Sequence, residues 1–124
     1  MDKKNTRTED ITEGLFQFID NSPTAFHAAA NAAAALEKAG YVRITGEDEA
    51  GIKPGGKYYR TKNDSALIAF RLPEGRISGL RIAASHSDSP CFKVKETPEM
   101  EVEGHYVKLN TEGYGGMIMS TWLD

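Results

Sequence analysis

The spacing of apolar residues changes at Gly40, and this change limits the fold classes open to the chain. Before Gly40, apolar side chains such as Ile11, Leu15 and Ile19 recur with the period of an amphipathic helix. After Gly40, short runs of β-branched and aromatic residues alternate with turn-rich intervals, which is typical of strands. Helices followed by strands predict an α/β domain in which N-terminal helices pack on a mixed β-sheet.

Two helices are predicted ahead of the strands. The first covers Glu9–Asp20, and the polar residues 1–8 that precede it are predicted to be disordered. For the second helix, Ser22 is the predicted N-cap and Pro23 is the first helical residue. It is predicted to run to about Ala39 and to end at Gly40, since glycine is favoured just past a helix end. This second helix is rich in alanine, whose short side chain permits close approach, so we expect it to pack tightly on a sheet.

Several short segments after the helices are predicted as strands. The two most apolar, Ala66–Phe70 and Leu80–Ala84, are expected to be central strands of the sheet. A turn is predicted at Thr97–Glu99, which contains a proline. The predicted strands are Tyr41–Ile44, Lys57–Arg60, Ala66–Leu72, Leu80–Ala84, Phe92–Lys95 and Tyr106–Leu109.

Composition and charge narrow the range of partners. The chain has 124 residues, and its 15 Lys+Arg and 18 Asp+Glu give a net charge of −3. Nucleic acids and anionic membranes attract clustered positive charge, so neither is an expected partner. No apolar run approaches the ~20 residues that span a bilayer, and the N-terminus lacks the apolar region of a signal peptide. With one cysteine, no intrachain disulfide is possible, and a cytoplasmic location is expected.

The last residues of the chain have an unusual composition for a terminus. Tyr114–Asp124 is rich in glycine and apolar residues, whereas domains usually end in polar tails. We therefore expect this segment to enter a core and the chain to be the front portion of a longer protein.

The densest group of reactive side chains is Ser85–Cys91, directly after the predicted strand Leu80–Ala84. Because side chains alternate along a strand, His86 and Asp88 are expected on the same side. Ligands bind at the carboxyl ends of strands in open α/β sheets, and a neutral imidazole with a carboxylate beside it is a common zinc ligand. A polar loop that caps a strand is the alternative interpretation.

Two other chemistries are less favoured for the reactive residues. A serine hydrolase triad needs residues that converge in space, which neighbours on an extended chain rarely do. Cys91 with His86 could form a thiol nucleophile and its base, although a lone cysteine is more often a small apolar residue. His27 and His105 are expected to be structural or exposed, and the acidic stretch Glu96–Glu103 is expected to be a solvated hairpin.

Four segments together resemble the N-terminal part of the aspartyl aminopeptidase family of dinuclear-zinc metallo-aminopeptidases. Their order and spacing are also similar to that family, from about Leu15 onward. The segments are Ser22-Pro-Thr-Ala-Phe-His-Ala28, Leu36-Glu-Lys-Ala-Gly-Tyr41, His86-Ser-Asp-Ser-Pro-Cys-Phe-Lys-Val-Lys95 and Tyr114-Gly-Gly-Met-Ile-Met-Ser-Thr-Trp-Leu-Asp124.

The resemblance implies a partial phosphorylase/hydrolase-like α/β domain over residues 9–124 and two Zn²⁺ ions per active site in the complete protein. By this analogy His86 is a ligand of one zinc ion and Asp88 is the catalytic-site carboxylate that orients it. Peptides would be the substrates, and the full-length protein would be a homo-oligomer. The family's remaining ligands, a bridging Asp, a Glu–Glu pair, a further acidic residue and a second His, lie downstream, and Asp124 is not assigned to the bridging position.

Three hypotheses follow for the function. The leading one is the N-terminal fragment of a zinc-dependent aminopeptidase, inactive by itself because one imidazole cannot hold two zinc ions. The second is a non-catalytic truncated derivative that acts only through subunit association. The third is a small α/β domain in which His86 and Asp88 merely cap a strand. The sequence leaves open which N-terminal residue is preferred and whether the native metal is zinc, manganese or cobalt.

Overall fold

The computed structural model describes residues 3–46 and 51–123, and it divides into two compact units between Asp88 and Ser89. The first unit contains both α-helices and one sheet, and the second contains a hairpin and a short 3-10 helix. The elements are α1 (Lys3–Asp20), α2 (Ala25–Lys38), β1 (Val42–Arg43), β2 (Lys57–Lys62), β3 (Ala66–Arg71), β4 (Cys91–Val102), β5 (Tyr106–Tyr114) and the 3-10 helix (Met119–Trp122).

Helix α1 begins at Lys3, earlier than the predicted start at Glu9. Most of the segment 1–8, predicted to be disordered, is thus helical from Lys3 onward. No glycine or proline interrupts this stretch, and lysine, arginine and glutamate are good helix formers, so the helix extends beyond its apolar stripe.

The N-terminus of α2 differs from the prediction. The N-cap is Thr24, whose Oγ1 accepts a hydrogen bond from the backbone N–H of His27 at 3.4 Å, and not Ser22. The hydroxyl of Ser22 instead accepts from Asn31 Nδ2 at 3.1 Å, and the carbonyl of Asn21 accepts from the same amide at 2.8 Å. Pro23 therefore lies before the helix, because Thr24 is the residue that pairs with a free N–H group of the first helical turn.

The end of α2 agrees with the prediction of a glycine stop. Gly40 has φ +82°, the left-handed conformation that closes many helices. Its N–H donates to the carbonyl of Glu37 at 2.9 Å, and the N–H of Tyr41 donates to that of Leu36 at 3.0 Å. These two bonds satisfy carbonyls that the helix itself leaves unpaired.

The sheet of the first unit is mixed, as predicted, and the α/β class is confirmed. β1 pairs with β2 in parallel, and β2 pairs with β3 in antiparallel fashion, in the order β1-β2-β3. The prediction of a central position for Ala66–Phe70 is wrong for the described strands, because β3 lies at the edge of their sheet and the less apolar β2 lies in the middle. Position in the sheet follows from pairing, which strand composition alone does not determine.

Helix α2 packs on one face of this sheet through Tyr59. Tyr59 is 2% exposed and Ala29 is 3% exposed, so the small alanine side chains admit the ring. The Tyr59 hydroxyl donates to Glu37 Oε1, and Lys57 Nζ donates to the Ala39 carbonyl at 2.9 Å. The hydrogen bond to Glu37, then burial, then repulsion by that carboxylate raise the pKa of Tyr59, against a smaller lowering by Arg43.

The other face of the sheet is organised around Tyr58. Its ring lies 5.7 Å from that of Phe70, centroid to centroid, and its hydroxyl accepts from the backbone N–H of Lys53 at 2.9 Å. A Cβ atom at Gly56 would lie 2.4 Å from the Tyr58 ring, so only glycine fits there. The lack of a side chain at Gly56 thus permits the burial of Tyr58.

The prediction of a strand at Leu80–Ala84 is wrong for the part of the chain that the structure describes. Residues 76–90 form neither helix nor strand, and Leu80 and Ile82 are 81% and 83% exposed. A β-strand is defined by hydrogen bonds to a neighbouring strand, and the described pairs are β1 with β2, β2 with β3, and β4 with β5. The apolar alternation is present, but no described strand pairs with this segment.

The second unit is a long antiparallel hairpin of β4 and β5. The predicted turn at Thr97–Glu99 is an irregularity inside β4, where the register shifts between Val94 and Glu99. Proline 98 has no N–H for the ladder, which accounts for the interruption. The true turn contains Glu103 and Gly104, with φ +54° and +65°.

After the hairpin, the 3-10 helix places Trp122 edge-to-face against Phe92, with ring centroids 5.0 Å apart. Ile118 and Leu123 are largely exposed and Trp122 is 44% exposed. None of the described residues 114–123 is buried, so the expected entry of this segment into a core is not seen. Asp124 lies outside the described residues. Among the described residues, neither α-helix combines the length and the apolar character that a membrane crossing requires.

Candidate metal centre

The sequence-predicted site residues His86 and Asp88 lie at the end of the first unit, in the extended segment that follows β3. This segment is linked to the β2–β3 turn, because the Ser87 hydroxyl donates to the Ser65 carbonyl at 2.9 Å. Both central residues of that turn, Asn63 and Asp64, have φ +52°, the conformation that fits the twist of a two-stranded hairpin.

The structure brings the imidazole of His86 and the carboxylate of Asp88 together. His86 Nδ1 lies 3.1 Å from Asp88 Oδ1 and 2.8 Å from the backbone carbonyl oxygen of Asp88. The prediction that these residues lie on one side of the chain is thus met by direct contact. The contact forms without the strand pairing that the prediction assumed.

The contact determines which ring nitrogen carries the proton. A backbone carbonyl oxygen can only accept a hydrogen bond, so Nδ1 of His86 must be the donor to Asp88. In a neutral imidazole with a proton on Nδ1, the lone pair is on Nε2. The side chain of His86 is 80% exposed, which leaves Nε2 accessible to a ligand.

This arrangement fits one ligand of a zinc ion. Histidine ligands commonly donate their second ring N–H to a carboxylate or carbonyl oxygen, and Asp88 offers both. A complete zinc site needs about four ligands, and no group of three or more candidate ligands occurs among residues 3–46 and 51–123. His86 and Asp88 therefore fit a zinc site that other residues would have to complete. The role of His86 as a ligand stays a prediction.

The described residues do not form the contacts that a serine hydrolase or a cysteine–histidine nucleophile would need. The hydroxyl of Ser87 donates to the Ser65 carbonyl and not to the imidazole, so no serine–histidine contact forms there. Cys91 is exposed and lies in β4 of the second unit, opposite Tyr114. A nucleophile acting with a histidine base requires a hydrogen bond between the two groups.

The other histidines occupy local structural positions. His27 Nδ1 lies 2.8 Å from the Thr24 hydroxyl at the start of α2, in agreement with a hydrogen-bonding role. His105 follows the β4–β5 turn, where its backbone N–H donates to the Val102 carbonyl at 3.2 Å. The acidic residues of Glu96–Glu103 belong to the exposed hairpin, as expected.

Sequence reasoning missed the contact between Ser87 and Ser65. The two residues are 22 positions apart, and no local pattern pairs them. The one clue to this contact in the sequence is that Ser65 lies in the turn before β3 and Ser87 lies in the group of reactive residues that follows β3.

The chain is similar to known proteins in both sequence and structure. Residues 18–124 match the family model described as "Aminopeptidase I zinc metalloprotease (M18)". A probable M18 family aminopeptidase 2 from Clostridium novyi (strain NT) is 46% identical over 112 residues, which are 89% of this chain and 26% of that protein.

Solved structures are also similar to this chain. The dodecamer of mApe1 from S. cerevisiae has a TM-score of 0.78 at 28% identity, covering 95% of this chain and 28% of that one. Aminopeptidase I from Borrelia burgdorferi B31 has a TM-score of 0.82 at 23% identity, covering 99% of this chain and 30% of that one, and it supports the fold alone. The chain spans about a quarter of the length of the curated relatives that it matches.

Proposed function

The chain belongs to the aminopeptidase I zinc metalloprotease family (M18), and on that premise we propose that it is the N-terminal part of a zinc-dependent aminopeptidase. The complete protein would remove the N-terminal residue of peptides with two zinc ions per active site. The observation that carries this proposal is the hydrogen bond from His86 Nδ1 to Asp88, since it leaves Nε2 as the metal-binding nitrogen.

The two site residues have separate tasks in this proposal. His86 binds zinc through Nε2, and Asp88 accepts a hydrogen bond from the Nδ1–H group, so the ring keeps one tautomer and one orientation. The negative charge of Asp88 also makes the imidazole a better electron donor. Zinc, when bound, supplies Lewis-acid polarisation of the peptide carbonyl and activates water for attack.

The chain by itself is proposed to be inactive. Its described residues provide one imidazole with its carboxylate and no cluster of three ligands, so zinc affinity is low without the residues that complete the site. We expect the purified 124-residue chain to show no peptidase turnover. Measurable, metal-dependent turnover by this chain would contradict the proposal.

The decisive experiment uses the full-length protein that contains this chain. Metal content and aminoacyl-amide hydrolysis are measured for the wild type, His86→Ala and His105→Ala. The first variant is expected to lose one metal ion and the activity, whereas the second, which changes an exposed histidine after the hairpin turn, should keep both. Unchanged metal content in His86→Ala would overturn the role of His86.

A homo-oligomer in the cytoplasm completes the proposal. The similarity to a dodecameric structure supports self-association, and the composition with a single cysteine supports a reducing compartment. Exposed apolar residues on β5, such as Val107 and Leu109, offer surface that association would bury. The competing hypothesis is a non-catalytic chain that acts through subunit association. It predicts association through the same surface, but no metal-dependent turnover in any assembly.

A further inference from the structure

We propose that Ser87 is a positioning residue for the metal ligand His86, acting through its hydrogen bond to the β2–β3 turn. This inference rests on the proposed function, because it concerns the ligand role of His86. It adds the reason why an exposed imidazole on a segment outside the described helices and strands has a defined place relative to the sheet of its own unit.

The contact between His86 and Asp88 cannot supply that place by itself. The two residues are separated by one position, so their hydrogen bonds orient the ring relative to the backbone of the same short segment. The side chains are 80% and 45% exposed, and packing adds little restraint. Residues 76–88 also form no helix or strand in the described chain.

Ser87 connects this segment to the hydrogen-bonded hairpin of β2 and β3 in the first unit. β2 and β3 are joined by six residue pairs from Lys57–Arg71 to Lys62–Ala66, and their turn ends at Ser65. The Ser87 hydroxyl donates to the Ser65 carbonyl oxygen at 2.9 Å. The residue that immediately follows His86 is thereby attached to the end of the hairpin, which restricts the positions open to the imidazole.

The chemistry of this bond defines suitable variants. The acceptor is a backbone carbonyl, so only the hydroxyl of Ser87 can be the donor. Threonine retains a hydroxyl, and valine has nearly the same shape as threonine without it. Ser65→Ala keeps the carbonyl acceptor and tests whether the side chain of that residue matters.

The experiment measures zinc affinity in the full-length protein by competition with a chelator at fixed pH. Ser87→Val and Ser87→Ala are expected to weaken zinc binding roughly 2- to 10-fold, the range that the loss of one ordinary hydrogen bond produces. Ser87→Thr should restore the wild-type affinity, and Ser65→Ala should retain it. Thermal unfolding of the metal-free proteins is measured in parallel, and we expect equal midpoints because the bond is exposed.

The outcomes separate this inference from the proposed function. Wild-type zinc affinity in Ser87→Val and Ser87→Ala would overturn the role of Ser87, as would equal weakening in Ser87→Thr. A fall in affinity that follows a fall in the metal-free melting temperature would show a merely structural role and overturn it as well. If His86→Ala retains its metal, the proposed function itself fails, whatever the Ser87 variants do.

Discussion

Strand β3 and the segment Leu80–Ala84 have closely similar composition but different structures. Both are short apolar runs without glycine or proline, and both were expected to be central strands. β3 forms a ladder with β2 along its whole length, whereas Leu80–Ala84 pairs with no described strand. The comparison teaches that apolar composition favours an extended backbone, while a partner strand is what makes it part of a sheet.

Strand β3 is also more buried than the segment Leu80–Ala84. Phe70 of β3 is half-buried against Tyr58, and the neighbouring β2 holds the two tyrosines of the core. Leu80 and Ile82 expose most of their side chains. Equivalent substitutions should therefore have large effects in the paired hairpin and small effects in the unpaired segment.

The largest difference is expected between two glycine substitutions. In Gly56→Ala the new Cβ would lie 2.4 Å from the ring of Tyr58, which is held by hydrogen bonds and by Phe70, so we expect a loss of about 2 kcal/mol in the free energy of unfolding. In Gly79→Ala, in the unpaired region, no atom lies within 4 Å of the new Cβ. This substitution should therefore change the free energy of unfolding by less than ~0.5 kcal/mol. Urea denaturation measures both, and equal effects would contradict the contrast in packing.

Tyr59→Phe should have the next largest effect. It removes the hydrogen bond from β2 to Glu37 of α2 while keeping the buried ring, and we expect a loss of about 1 kcal/mol in the free energy of unfolding. The variant Tyr106→Phe, in the exposed β5 strand, is the matched control and should be close to neutral. A neutral Tyr59→Phe would indicate that the Glu37 contact adds nothing to the packing of α2.

The same tyrosine predicts a dependence of stability on alkaline pH. The pKa of Tyr59 is raised above its usual 10.0 in the folded protein, first by the hydrogen bond to Glu37 and then by burial. The unfolded state therefore releases this proton at lower pH than the folded state. Stability is fully present below pH 10 and falls as the pH rises from there through the folded pKa. The free energy of unfolding, measured by denaturation at several pH values from 9 upward, should fall less steeply with pH in Tyr59→Phe than in the wild type. An equal fall in both proteins would exclude this contribution of Tyr59.

The smallest effect is expected from Ile82→Ala in the unpaired segment. The side chain is 83% exposed, so little apolar contact is lost, and we expect a change below ~0.5 kcal/mol in the free energy of unfolding. Phe70→Ala in β3 is the informative partner variant, since it removes a ring that contacts Tyr58 and should destabilise clearly. A strongly destabilising Ile82→Ala would show that the segment is packed in solution.

Features governed by neighbouring residues could be predicted from the sequence. The glycine stop of α2 and the proximity of His86 and Asp88 depend on residues that are close in the chain. The start of α2 was misplaced because Ser22 and Thr24 are both good caps, and tertiary contacts with Asn31 select between them. The position of β3, the lack of a described strand beside Leu80–Ala84 and the bond from Ser87 to Ser65 all depend on distant residues, which a single sequence does not pair.

The interruption of β4 at Pro98 has a consequence for how the protein behaves at high concentration. A long flat ribbon with free amide edges is a template on which further ribbons can assemble into fibres. Pro98 removes one amide donor in the middle of β4, and the register shifts around it between Val94 and Glu99. Irregularities of this kind interrupt the ladder and increase the local twist of a strand pair. The second unit can therefore expose many apolar side chains while its backbone remains a poor template for amyloid growth.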